Sequence, residues 1–258
     1  MIYHFELGGG DADAGTDASP AAGGYRAEGE DPVHIGELEV LRWAHILAMV
    51  YWLGGEWGVF QTSYHVTNPR LTLAERRRHM ETAYRIDILA RTGIILLLPL
   101  GLHMGTIYGF VPLDGIALTA MWVIFVAWIS LTWSAFLTRE TDMGLRLTKI
   151  DEAIRYVVIP GLFLVSIASM LGYGPLDIGP GTLWYGAKMA LYAFALCIGL
   201  GLRFIMRAWT IRFRRLAEGP NPAEEAALTR EIGIGRLMAY VYWITIASVC
   251  FLGATKPF

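Results

Sequence analysis

Residues 86–111 read IDILARTGIILLLPLGLHMGTIYGFV, and this stretch decides what kind of molecule the chain is. It is longer than the roughly 20 residues a helix needs to span the hydrocarbon core of a bilayer. From Thr92 onward it is almost wholly apolar, yet it carries Asp87, Arg91 and His103. Runs of the same kind lie at about 40–64, 115–137, 154–173, 183–206 and 234–255. The chain of 258 residues is 55% hydrophobic and 17% charged, with a mean hydropathy of +0.44. A soluble domain carries about 25% charged residues. The expected fold is an all-α integral membrane protein, a six-transmembrane-helix bundle over 37–258, with no separate soluble domain.

The basic residues orient the bundle. Most of the 21 fall in alternate connections, 66–85, 138–155 and 203–236, while 112–115 and 174–182 hold none. Loops rich in Arg and Lys stay on the cytoplasmic side. Both termini are therefore expected outside, on the periplasmic face of a bacterial inner membrane. The basic loops are explained by topology, so nucleic acid is not an expected partner; membrane lipid is. Residues 1–36 form an acidic, Gly- and Ala-rich stretch with no basic n-region and apolar core, which is not a cleavable signal peptide. A flexible external tail is expected, or a segment that orders on a protein partner through residues 1–39. Cys197 and Cys250 lack zinc or redox spacing and read as small buried hydrophobes. The segment 217–231 reads as a proline turn followed by a short polar helix.

Ionisable residues inside apolar spans are costly and point by default to function. With the amino terminus outside, His45 lies eight residues into the first span, about 12 Å deep at ~1.5 Å rise per residue. His103 lies eight residues before the end of the second span, at the same depth, and Lys188 enters the fifth span slightly nearer the outer surface. Two histidines at one depth suggest a metal or haem clamp. Haem b suits them, since two imidazoles can take both axial positions of the iron. Arg42 and Lys256 are placed to pair with its propionates. A second polar layer lies deeper, where Glu56 and Arg91 share a level with Asp87 one turn away. This layer reads either as a structural ion pair or as a proton relay and quinone head-group site. Gly54, Gly55 and Gly58 in WLGGEWG form a small-residue patch suited to helix packing. The nine Trp, Trp43 and Trp184 among them, fit an interfacial aromatic belt.

Three segments resemble the HemJ-type protoporphyrinogen IX oxidases and, more loosely, the CopD-like membrane proteins. The first runs from Arg42 through His45 and Trp52 to Gly55, with Tyr64-His65 at its end. The second is Trp184-Tyr-Gly-Ala-Lys188-Met-Ala-Leu, and the third is the ending Lys256-Pro257-Phe258. Together they cover the first, fifth and sixth spans. The resemblance implies a haem b protein in which His45 matches the first-helix histidine and Lys188 the essential lysine. It also implies removal of hydrogens from protoporphyrinogen IX.

The expected function is a haem b-binding membrane redox protein passing electrons from an external donor to membrane quinone, as a subunit or anchor of a redox complex. His45 and His103 would ligate the iron, and Arg42 and Lys188 would tune it. Lys188, Glu56 and Arg91 are the candidates for any chemistry of its own. The rivals are protoporphyrinogen oxidation, copper handling through methionine and histidine, and a cofactor-free assembly role.

Overall fold

The polar residues of the apolar spans are carried by six long helices, with no strand among the described residues. The computed structural model describes residues 35–139 and 141–258. The expectations for the tail, including His4 and His34, lie outside the described residues. The helices are α1 (Glu37–Val66), α2 (Leu73–Ile107), α3 (Gly115–Leu137), α4 (Asp142–Met170), α5 (Leu183–Ala217) and α6 (Pro222–Thr255). The last five are long and apolar enough to cross a membrane, which gives the chain the character of a multi-pass membrane protein. At 30 residues α1 has the length but is less apolar, because Glu37, Glu39, Arg42, His45 and Glu56 interrupt it.

Several helices run beyond the spans read from hydropathy, for local reasons. Thr72 and Glu75 form a reciprocal capping box that starts α2 well before residue 86. Asn221 caps α6, whose first position is Pro222. The polar helix expected within 217–231 therefore continues unbroken into the last span, and the connection shrinks to residues 218–221. Hydropathy misses these turns because they are polar. Two cations assigned to loops, Arg155 and Arg203, are in fact buried within helices.

The helices form a ring in chain order, each packed on its neighbours, with α2 and α5 also touching across the middle. These two are the most buried, while α3 and α4 turn most of their surface outward. The α1–α2 seam is tight because small residues meet there. A Cβ added at Gly55 would lie 2.7 Å from that of Ala90, and one at Gly93 would lie 2.5 Å from the Ala48 carbonyl oxygen. Gly55 and Gly58 thus serve helix packing as expected, whereas Gly54 faces open space. At the centre Trp52 is wholly buried and donates to the Tyr242 hydroxyl at 2.9 Å, and the Tyr192 hydroxyl donates to the Ile94 carbonyl at 2.5 Å.

At the basic end the extensions of α2, α5 and α6 share a second apolar cluster that includes Met80, Trp209, Phe213 and Leu228. Around it Arg76 grips both oxygens of Glu225 at 2.8 Å, and Arg212 bridges Glu224 and Glu231 at 2.8 and 2.7 Å. Hydrogen bonds from Arg212 and Arg76 hold the carboxyls of Glu224 and Glu225, respectively, below the usual glutamate range. At the opposite end the Trp184 amide donates to the Phe258 carbonyl at 3.1 Å.

Two expectations about single residue types are corrected. Cys197 and Cys250 are exposed rather than buried, because they lie on the outward faces of α5 and α6. The tryptophans do not form one interfacial belt. Trp43 and Trp57 face outward, but Trp52, Trp128, Trp184 and Trp209 are core residues, three of them with ring or backbone hydrogen bonds.

Candidate functional site

The bundle contains a cavity of about 70 Å³ at the level of the deeper polar layer, smaller than an ordinary small-molecule site, so a ligand larger than a few waters enters only if the side chains around it move. It is bounded by Glu56 and Phe60 of α1, Asp87 and Arg91 of α2, Arg155 of α4, Arg203 and Trp209 of α5, and Arg236 and Tyr242 of α6. Charged groups this deep persist only when paired and hydrogen-bonded. Asp151 supplies most of that pairing. It is fully buried and accepts from Trp128 Nε1 at 2.8 Å, Thr132 Oγ1 at 2.9 Å and Arg155 Nε at 3.3 Å, and also from Arg203. Asp151 and Arg155 are one turn apart on α4, so one helix brings both partners to one face. Glu152 next to them pairs with Arg207 and, at 3.6 Å, with Arg203.

Glu56 and Arg91 do border the same cavity, but they are not an ion pair. Arg91 pairs with Asp87, one turn away on α2, and that short connection along one helix outcompetes a partner across a gap. Glu56 has no ion pair among the described residues, although the charges of Asp87 and Arg91 reach it. Two donors on the cavity wall are also unmatched. Arg155 Nη2 and Trp209 Nε1 are buried and without a hydrogen-bond partner, on residues only 5% and 3% exposed. The Tyr242 hydroxyl accepts from Trp52. Arg155 and Trp209, each with an unpartnered buried N–H, thus border the same cavity as the Glu56 carboxyl, within an apolar shell from Val59, Ile94, Leu196 and Met206.

His45, His103 and Lys188 lie elsewhere, and none borders the cavity. His45 packs on α2, its Cε1 3.5 Å from where a Cβ on Gly101 would stand, and its buried Nδ1 has no partner. His103 Nδ1 accepts from Trp122 Nε1 at 3.3 Å, and its Nε2 lies 3.2 Å from Glu37 Oε1. A neutral imidazole has one donor and one acceptor nitrogen, so both are engaged. Gly101 and His103 stand about 200° apart around α2 at 3.6 residues per turn, so the two histidines address different sides of that helix. Lys188 reaches along α6, its Nζ 2.8 Å from the position of a Cβ on Gly253, and its charge acts on His45. Arg42 Nη2 donates to the Tyr108 hydroxyl at 3.2 Å, and Lys256 sits over the Tyr108 ring at 5.0 Å.

A haem between two histidines needs a free nitrogen from each. In this arrangement His45 has one, and His103 would free one by releasing Trp122 while its Nε2 still donates to Glu37. His65 and His79 also meet, their rings stacked at 4.5 Å, and His79 is helical rather than in a loop.

Hydropathy missed Asp151, Arg155, Arg203, Trp209 and Tyr242. A signal existed in Asp151 and Arg155, an acid and a base at helical spacing at the threshold of an apolar run. Charge counting over the connections absorbed it. No protein-family model, curated protein or solved structure matches the chain.

Proposed function

We propose that the chain is a six-span redox protein of a bacterial inner membrane, with both termini outside, whose cavity binds the head group of a membrane quinone. It would act as a subunit that passes electrons between a partner and the quinone pool. The observation that carries this reading is that Arg155 and Trp209, each with a buried N–H lacking a partner, border the same cavity as Glu56. A buried donor left without an acceptor costs about 1–3 kcal/mol. A quinone ring supplies two carbonyl acceptors and a flat apolar body, which answers the two donors and the shell around them. Glu56, free of any ion pair among the described residues, is the group placed to give or take the proton that quinone chemistry requires. Asp151 and Asp87 hold Arg155 and Arg91 in place.

The test is equilibrium binding of a short-chain ubiquinone or menaquinone analogue to the purified protein in detergent. Saturable binding at one site is expected, and Trp209→Phe should weaken it about tenfold, or ~1.4 kcal/mol. An absence of saturable binding, or an affinity indifferent to both Trp209→Phe and Arg155→Lys, would overturn the reading.

A haem b held through His45 is a second reading, favoured by the unpartnered, buried Nδ1 of that residue. It predicts a Soret band that sharpens on dithionite reduction of the same preparation and is lost in His45→Ala. If His103 is the second ligand, His103→Ala abolishes the low-spin spectrum.

A further inference from the structure

Beyond what the cavity binds, the structure shows where a ligand could enter. Of the neighbouring pairs around the ring, α1 and α6 make the fewest close backbone approaches. Their seam is spaced by rings instead. Trp57 and Trp243 stand 4.8 Å apart, Phe60 and Trp243 4.8 Å, and Phe60 and Tyr240 5.5 Å. Polar ties bind the two helices only above and below these rings. On one side Trp52 donates to Tyr242 at 2.9 Å. On the other, Arg236 donates to the Ser63 hydroxyl and carbonyl at 3.0 and 2.9 Å and to the Thr67 hydroxyl at 3.2 Å, and lies over the Tyr64 ring at 3.9 Å. Along α1 the interval from Trp52 to Ser63 is on the order of 16 Å.

The rings in this interval span the wall from inside to outside. Phe60 is 7% exposed and borders the cavity, while Trp57 and Tyr240 are about half exposed, at 52% and 51%, on the outer face. Ring-to-ring contacts are worth about 0.5–1.5 kcal/mol each and can exchange without breaking a backbone or charged hydrogen bond. The seams on either side are held differently, α1–α2 by glycine against backbone and α5–α6 by the ion pairs of Arg212 with Glu224 and Glu231.

We infer that the α1–α6 seam is a lateral gate, with Phe60 as its inner leaf, through which a quinone carrying an isoprenoid or alkyl tail enters the cavity from the bilayer. The inference rests on the quinone-site reading and adds the route and the ligand class. The head group passes inward past Phe60, and the tail stays between Trp57 and Tyr240 in the lipid. Phe60 borders the site and also guards access to it, and the association rate reports the second role.

Rates decide it. Association and dissociation of decylubiquinone are measured by stopped flow on the protein in proteoliposomes, for wild type, Phe60→Leu, Phe60→Trp and Trp57→Ala. Opening the gate in Phe60→Leu and Trp57→Ala should speed association by about fivefold, with dissociation also faster, and Phe60→Trp should slow association. Unchanged rates in all three variants, or a change confined to dissociation, would overturn the gate while leaving the cavity site standing. If wild type binds no quinone, the cavity reading falls and the gate falls with it. Trp57 is an outward-facing residue, so its variant keeps the test alive should changes at Phe60 disturb folding.

Discussion

Asp151 is the residue on which the polar layer depends. One carboxylate takes hydrogen bonds from Trp128, Thr132 and Arg155 and closes on Arg203. Removing its charge would leave Arg155 buried with no matching anion and Arg203 with only Glu152 at 3.6 Å, and breaking a buried pair in this way costs about 3–5 kcal/mol. Asp151→Asn should therefore lower stability by that order in a thermal or SDS titration of the purified protein, with the helices still formed by circular dichroism. A loss within about 0.5 kcal/mol would mean that water or lipid already screens the cluster. Trp209 and Glu56 are opposite in kind. Their polar groups are not needed to neutralise anything in the fold, so Glu56→Gln and the ring-conserving Trp209→Phe should affect ligand binding more than stability. That asymmetry separates the residues that build the cavity from those that use it.

At the scale of elements, the α1–α2 seam shows how closely two helices can be brought when side chains are reduced to hydrogen. A Cβ on Gly93 would meet the Ala48 carbonyl and the Trp52 amide at 2.5 and 2.9 Å, both backbone atoms that cannot turn aside. Gly93→Ala should destabilise by about 1–3 kcal/mol, the usual cost of overpacking. Gly54→Ala, one position from the equally tight Gly55, faces open space and should be neutral or slightly stabilising, since Ala is the better helix former by about 1 kcal/mol. Melting the two variants side by side checks the facing of α1. Equal effects would mean that the helix is rotated from its described position. The helix extensions at the basic end follow another rule, a shared apolar cluster ringed by Arg–Glu pairs. Sequence showed the cap residues there, yet hydropathy cut the helices short because it registers lipid-facing surface and not helix.

At the scale of the molecule, the ring of helices sets the two polar layers apart. The level of His45 and Lys188 lies toward the end where both termini of the described bundle meet, and the cavity lies toward the basic end. The side of the membrane on which each opens follows from topology and can be measured. In a background with Cys197 and Cys250 changed to Ala, a thiol at Asn68→Cys should react with an impermeant maleimide only in inverted vesicles, and one at Gly179→Cys only in intact cells. The reverse pattern would invert the bundle. The sequence by itself determined the all-helical membrane character, the places of the helices and the presence of two buried polar levels. It could do so because hydropathy over twenty residues and a charge inside an apolar run are local properties. It could also name Glu56, Arg91 and Asp87 as one layer, since depth follows from counting along a helix. Only the tertiary structure decided which charges pair, that Arg155 and Arg203 turn inward, that His103 spends both nitrogens on Trp122 and Glu37, and that Trp209 faces a cavity. Those outcomes depend on rotation about each helix axis and on which helices become neighbours, and both are set by packing between segments far apart in the chain.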